Sequence, residues 1–147
     1  MNSSKKLVFL FVLVHTLLCS VQADEFYRDD AKEVVIDKKL SLMWQDDSSV
    51  SSIDKNYTDA IAHCEELEFA GYNDWYLPKL SELKSIVKAE NYPKCIDKAF
   101  ENVYPDYYWS STEHSSKFAW IVLFIYEDVV YYHKTDPSYV RCVRSAE

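Results

Sequence analysis

The chain has 147 residues, of which 48% are hydrophobic and 16% are aromatic, and its formal net charge at pH 7 is −8. This length predicts one domain, and the apolar content excludes an intrinsically disordered chain. The negative charge argues against nucleic acids and other polyanions as ligands, because long-range repulsion slows their encounter with the protein.

The first 23 residues have the pattern of a secretory signal peptide. Lys5 and Lys6 precede a short apolar run, and Val21-Gln22-Ala23 forms a small-x-small cleavage pattern. We expect cleavage after this pattern and a periplasmic or secreted product without a membrane anchor. Cys19 raises the alternative of lipoprotein processing, although Leu18 stands where a lipoprotein signal normally has a small residue. Because the segment holds two of the 16 basic residues and none of the 24 acidic ones, its removal leaves a net charge of −10.

The first half of the mature chain predicts a hairpin, a short strand and a helix. The hairpin runs from Phe26 to Ile36, and the strand runs from Ser41 to Gln45. After a polar loop, Asn56 is a typical helix N-cap. Apolar residues then recur at helical spacing and predict one buried helix face, namely Ala60, Ile61, Cys64 and Leu67.

The stretch Gly71–Leu83 predicts a corner of the fold rather than a binding site. Gly71, the only glycine of the chain, is expected to cap the preceding helix in a left-handed conformation. Trp75 and Leu77 are expected to be buried, and Asp74 is expected to accept hydrogen bonds from backbone donors of the turn.

The second half predicts a helix from Leu80 to Lys88, an irregular segment over residues 89–106, and then several strands. The strands are predicted at Tyr107–Ser111, Phe118–Ile125, Val129–His133 and Tyr139–Arg144. Phe118–Ile125 is almost wholly apolar, which predicts a strand buried on both faces. Strands, two helices and strands again indicate one α+β domain over residues 24–147 with an antiparallel sheet.

Three cysteines follow the signal segment, and the exported context permits disulfides between them. Cys64 lies on the inner helix face and Cys142 in the last strand, so a bridge between them would fix helix to sheet. An odd count leaves Cys95 over, either as a free thiol or in an intermolecular disulfide that forms a dimer.

Six motifs in order resemble the C-terminal domain family of the Legionella collagen-like proteins, a bacterial domain family of unknown function. Together they cover most of residues 26–144. They are Leu42-Met43-Trp44-Gln45, Ala60-x-x-x-Cys64-x-x-Leu67, Gly71-x-x-Asp74-Trp75-x-Leu77-Pro78, Tyr108-Trp109-Ser110-Ser111-Thr112, Ala119-Trp120-x-Val122-x-Phe124 and Val140-Arg141-Cys142-Val143-Arg144.

The resemblance implies a C-type-lectin-like fold and a disulfide between Cys64 and Cys142. It also implies a distant relation to the formylglycine-generating enzyme, whose sequences end in a similar Arg-Cys-Val motif. Lys79 departs from the family pattern, since a threonine usually caps the second helix at this position.

Ligand-binding candidates come from the many tyrosines of the second half, because tyrosine offers flat contact area with a polar handle. The irregular segment and the loop at 112–117 would supply the contacts, and the candidate residues are Tyr104, Tyr107, Glu113 and His114.

The sequence supports a catalytic site or a metal site less well than a ligand-binding site. Ser110 and Ser111 precede His114, but no third group or Gly-x-Ser-x-Gly elbow accompanies them. Asp46, Asp47 and Asp54 lack the spacing of a calcium loop, so no motif supports a structural calcium ion. We therefore expect no cofactor and no enzymatic activity.

The leading hypothesis is an exported module that binds a carbohydrate or another surface ligand of neutral or basic character. The alternative is an envelope domain that binds another protein, or has a structural role, without a small ligand. A sugar binder should show exposed aromatic rings beside polar groups in a concave site, whereas an interaction module should show a flatter apolar patch.

Overall fold

The computed structural model describes residues 24–147 and builds them into two β-sheets and two α-helices. The predicted signal peptide at residues 1–23 lies outside the described residues. The first sheet has the order β1-β2-β3-β9, with β1 at Phe26–Asp29, β2 at Val34–Asp37, β3 at Leu42–Gln45 and β9 at Val143–Ser145. The second has the order β4-β8-β5-β6-β7, with β4 at Asp54–Lys55, β8 at Ser138–Tyr139, β5 at Tyr107–Glu113, β6 at Phe118–Leu123 and β7 at Asp128–His133.

This arrangement confirms the α+β class, with two differences in the sheets. The predicted single antiparallel sheet is divided into two, and β5 pairs with β8 in parallel through Tyr108 and Tyr139. The predicted last strand, Tyr139–Arg144, is also divided, because its start joins the second sheet as β8 and its end joins the first sheet as β9. The C-terminal segment thus connects the sheets. The more specific assignment to the C-type-lectin-like fold stays a prediction.

Helix α1 spans Tyr57–Glu65 and begins as the sequence predicts. The Asn56 side chain accepts a hydrogen bond from the backbone N–H of Asp59, at 3.0 Å. Helix α2 spans Leu80–Ser85, which is three residues shorter than predicted at its C-terminal end. The N–H of Lys79 donates to the Glu82 carboxylate at 2.8 Å, and the N–H of Leu80 donates to the Thr112 hydroxyl at 3.0 Å. A threonine from β5 therefore caps α2.

Two apolar clusters cover the two faces of the second sheet. Tyr108 and Val122 belong to a cluster with Leu83 of α2, whereas Trp109 and Ile121 belong to a cluster with Cys64 of α1. Neighbouring residues of β5 and β6 thus point into different clusters, as strand geometry requires. The prediction that the Phe118–Ile125 segment is buried on both faces is confirmed for most of β6.

The corner at Gly71 is built differently from the prediction. Helix α1 ends at Glu65, and Gly71 instead forms the tip of a two-residue turn with Ala70, both at positive φ (86° and 55°). Phe69 and Tyr72 exchange both backbone hydrogen bonds across this turn, at 2.9 Å each. Two consecutive positive φ angles characterise a type I′ hairpin turn, for which glycine is favoured.

Around this corner, the burial of Trp75 and Leu77 is confirmed, at 2% and 3% exposure. The expected role of Asp74 is wrong. Its carboxylate forms a bidentate pair with Arg144 of β9, with distances of 2.6 Å to Nε and 3.0 Å to Nη2. Planar bidentate geometry suits an arginine better than scattered backbone donors, and the pair fixes the corner to the first sheet.

A buried ion-pair network around Asp46 joins parts of the chain that are far apart in sequence. Asp46 follows β3 and is fully buried, and its carboxylate accepts hydrogen bonds from Arg28 and from Arg141, the latter at 2.8 Å. The backbone N–H groups of Glu101 and Asn102 also donate to it, at 2.9 and 3.2 Å. Burial lowers the pKa of Arg141 to about 10, because removal from water disfavours the charged guanidinium.

The cysteines confirm one pairing. Cys64 and Cys142 form a disulfide, and both are fully buried. Cys95 is the free cysteine of residues 24–147 and is 3% exposed, with Sγ 3.4 Å from the carbonyl oxygen of Ile125. A bond to a second chain would require this loop to open, and the Cys95-linked dimer stays a prediction.

The Asp46 network predicts a large stability difference between two isosteric variants. Asp46→Asn replaces the buried anion by an amide whose NH₂ group cannot accept from an arginine, and should cost about 3–5 kcal/mol of unfolding free energy. Asp30→Asn removes another partner of Arg28, but one whose side chain is 84% exposed, and should cost less than about 1 kcal/mol. Urea unfolding followed by tryptophan fluorescence measures both, and equal costs would contradict the network's role.

Thiol labelling tests the state of Cys95. Ellman's reagent should react slowly with the native protein and rapidly in denaturant, because burial hides the thiol. The Cys95→Ala variant gives the background. Fast native labelling would contradict the buried position, and a reduction-sensitive dimer that this variant lacks would establish the intermolecular disulfide.

Candidate functional site

A groove of about 310 Å³ lies where strands of the second sheet end near one another. We call it the tyrosine groove. Its lining combines aromatic rings with carboxylates and consists of Asp54, Asp106, Tyr107, Tyr132, Pro137, Ser138 and Tyr139. Four strands contribute to it, so its shape depends on the sheet pairing rather than on a single loop.

Two larger hollows, of about 460 and 380 Å³, are lined by fewer separate segments of the chain than the tyrosine groove. The first is lined by the consecutive residues 68–73 of the Gly71 hairpin, and the second by residues 24–28 and 97–99 at the start of the described chain. Binding sites usually gather a few polar groups and aromatic rings from separate elements. The tyrosine groove meets this criterion.

Stacked ring pairs form the walls of the tyrosine groove. Tyr107 of β5 and Tyr132 of β7 stack at 5.6 Å between ring centroids, and Tyr139 of β8 stacks on Tyr104 at 4.8 Å. Tyr104 is 46% exposed and Tyr132 is 37% exposed, so ring surface remains open to solvent. The ring of Tyr108 lies next to that of Tyr139, with centroids 5.6 Å apart. Its hydroxyl oxygen accepts a hydrogen bond from the backbone N–H of Tyr104 at 3.0 Å.

The tyrosine groove carries negative charge. Neither Asp54 nor Asp106 forms an ion pair with a lysine or arginine in the described part of the chain. One carboxylate oxygen of Asp106 accepts from the N–H of Tyr107 at 2.8 Å, which orients the group. The pKa of Tyr139 is raised, first by burial and then by the negative charges of neighbours that include Asp106 and Asp54.

A second aromatic surface lies on the second sheet, and we call it the histidine patch. It consists of His114, Phe118, Trp120, Tyr131 and His133. His114 stacks on Tyr131 with centroids 4.1 Å apart and rings within 8° of parallel, and Trp120 meets His114 edge-on at 5.0 Å. Tyr131 is 50% exposed. The patch is a surface of aromatic rings on β6, β7 and the loop before β6.

The structure does not bring the four predicted ligand-binding residues together. Tyr107 lines the tyrosine groove and Tyr104 stacks on the groove residue Tyr139, whereas His114 belongs to the histidine patch. Glu113 forms an ion pair with Lys134 at 2.8 Å. Tyr107 and Glu113 stand at opposite ends of β5, about 20 Å apart at a rise of about 3.3 Å per residue. One ligand of ordinary size therefore does not contact all four residues.

Asp54, Asp106, Tyr132 and Tyr139 are groove residues that the sequence did not assign to a ligand site. Tyr132 and Tyr139 stood among the tyrosines of the second half, and Asp54 among the metal candidates. The parallel pairing of β8 with β5 brings them together, and no local sequence signal predicts that pairing.

The residues of the catalytic reading do not form a triad. Ser110 is fully buried, and its hydroxyl donates to the carbonyl of Trp120 at 2.7 Å. The carbonyl of Ser111 accepts from the Tyr57 hydroxyl at 2.8 Å. The Ser110 hydroxyl thus serves a backbone contact between β5 and β6.

Within residues 24–147, no group of three or more His, Cys, Asp and Glu side chains is placed to share a metal ion. Of the acidic residues considered for calcium, Asp46 is committed to its arginines and Asp47 accepts from Gln45 at 2.9 Å. The helices of this part of the chain are all too short or too polar to cross a membrane.

Residues 33–144 match the family model of the Lcl C-terminal domain. The match extends from the β1–β2 turn into β9, so it includes both helices, the disulfide and almost the whole tyrosine groove region. The chain belongs to this family, and the resemblance predicted from the six motifs is confirmed. A comparison with curated proteins found no match.

The tyrosines behind these surfaces predict a loss of stability in alkali. Burial raises the pKa of Tyr108 and of Tyr57 above the ordinary value of 10.0. The native state therefore holds these protons more tightly than the unfolded state. The stabilisation is fully present below about pH 10 and is lost as pH rises beyond it.

Unfolding free energy measured by urea titration from pH 8 to 11 (about three units, spanning the ordinary tyrosine pKa of about 10) tests this expectation. Tyr108→Phe should flatten the alkaline decline, whereas Tyr126→Phe, at a ring that is 70% exposed, should leave it unchanged. A decline that is the same in all three proteins would contradict the assignment.

Proposed function

We propose that this protein is an exported, non-enzymatic module that binds a carbohydrate in the tyrosine groove. The observation that carries the proposal is the combination of partly exposed tyrosine rings with two unpaired carboxylates in one concave site. The signal-like N-terminus supports a periplasmic or secreted location, and the family belongs to surface proteins.

Sugar chemistry matches this lining. The C–H faces of a pyranose are apolar and pack against an aromatic ring, while hydroxyl groups at the ring edge donate hydrogen bonds to carboxylates. Tyr104 and Tyr132 offer ring surface, and Asp54 and Asp106 offer acceptors. The stacked pairs hold the rings in place before a ligand arrives, which lowers the entropy cost of binding.

The charge of the protein narrows the ligand class. The expected mature net charge of −10 and the acidic groove disfavour anionic polysaccharides and nucleic acids. A neutral or basic ligand has no such barrier. Ser110 is buried and His114 is stacked on Tyr131, so these two residues do not form an activated serine nucleophile, which supports a binding role.

The histidine patch favours a second candidate function, an interaction with another protein. Its aromatic rings lie on the strands of a sheet rather than around a hollow, and surfaces of this kind suit a macromolecular partner better than a small ligand. In this alternative the protein is an envelope domain with no small-molecule ligand.

A glycan array with the purified protein, with and without calcium, tests the proposal. We expect saturable binding to one class of neutral or basic sugar. Tyr107→Ala removes one ring of a stacked groove pair and should weaken binding about tenfold, equivalent to about 1.4 kcal/mol. Tyr131→Ala removes a ring of the histidine patch and should leave binding unchanged.

Two outcomes would contradict the proposal. A blank array would exclude the carbohydrate reading and favour a protein partner at the histidine patch. Binding that Tyr131→Ala weakens and Tyr107→Ala does not would place the sugar on the histidine patch. Thermal unfolding of both variants serves as the control for intact folding.

A further inference from the structure

The two carboxylates of the tyrosine groove stand without a compensating cation. The lining contains no lysine or arginine, and no described residue forms an ion pair with Asp54 or Asp106. We propose that the sugar bound in the tyrosine groove carries a protonated amine, as glucosamine does. This inference rests on the proposed function and specifies the ligand class.

The nearest basic residues along the chain are engaged elsewhere. Lys55 follows Asp54 in β4 and therefore points to the other side of the strand. Its charge acts on His63 of α1, whose pKa is lowered by burial first and by Lys55 second. Lys134 pairs with Glu113 and lies over the Tyr57 ring at 4.9 Å. Neither lysine neutralises the tyrosine groove.

The aromatic walls strengthen the preference for a cation. A tyrosine face attracts a positive charge within about 6 Å through the ring quadrupole, and the attraction grows as water is excluded. Three tyrosines line the tyrosine groove, namely Tyr107, Tyr132 and Tyr139, and Tyr104 stacks on Tyr139 beside it. Partial desolvation by these rings also strengthens the Coulomb attraction between a bound ammonium group and the two carboxylates.

A matched pair of oligosaccharides tests the inference directly. We would titrate the purified protein by calorimetry with a glucosamine oligomer and with the N-acetylglucosamine oligomer of the same length. The ring and linkage are the same, and the two oligomers differ at the amine, which the acetyl group neutralises; the variants below separate the effect of the charge from that of the acetyl group. At about pH 5.5, where ordinary aspartates are ionised, the charged oligomer should bind about tenfold more tightly. Added salt should reduce this preference, because it screens the attraction.

Variants assign the preference to the two carboxylates. Asp54→Asn and Asp106→Asn should each lower affinity for the charged oligomer several-fold and leave affinity for the acetylated oligomer nearly unchanged. The control is Asp30→Asn, which removes the same charge from the β1–β2 turn and should leave both affinities unchanged. A preference that all three variants retain would show that the overall negative charge of the protein, and not the groove, selects the amine.

The outcomes separate this inference from the proposed function. Equal binding of both oligomers, or tighter binding of the acetylated one, overturns the amine preference and leaves a carbohydrate module intact. Binding of neither oligomer, with a positive signal for another sugar on the array, also overturns only the inference. Binding of no sugar overturns both.

Discussion

The buried carboxylate of Asp46 is the interaction on which the other parts of the structure depend. An ion with no access to water is tolerated only when every lone pair is satisfied, and Asp46 meets this condition with two arginines and two backbone N–H groups. The partners come from β1, from the segment before β9 and from residues 101–102. The network therefore fixes the irregular segment just before Tyr104 and Tyr107, and so sets the entrance of the tyrosine groove.

The sequence predicts those elements whose structure depends on interactions between neighbouring residues. Asn56 and the spacing from Ala60 to Cys64 predict α1, and the polar turn after Phe26 predicts the first hairpin, because caps, turns and periodicity act over a few residues. Such local signals do not predict the structure around Cys142. All residues from Val140 to Arg144 are buried, so the segment shows no alternation from which its division between two sheets could be inferred. At Gly71 the predicted positive φ angle is correct, but the predicted helix cap is a two-residue hairpin turn.

The candidate site was only partly predictable for the same reason. Tyrosine chemistry pointed to Tyr104 and Tyr107; Tyr107 lines the tyrosine groove, and Tyr104 stacks on the groove residue Tyr139. Their grouping with Asp54 and Tyr139 depends on strand pairing between distant segments, which a single sequence does not encode visibly. We expected Glu113 and His114 at the same site because they lie close to the tyrosines along the chain, yet Tyr107 and Glu113 stand at opposite ends of the seven-residue strand β5. The structure thus replaces one predicted site by two separate surfaces of the second sheet.

We propose that ligand binding belongs to the tyrosine groove. An NMR titration of the isotope-labelled protein with the tightest sugar ligand, in which backbone amide shifts are followed residue by residue, tests this assignment. We expect saturable shifts at Tyr107, Ser138 and Tyr139, with Phe118 and Tyr131 unaffected. Shifts confined to Phe118, Tyr131 and their neighbours would contradict it and move the binding site to the histidine patch.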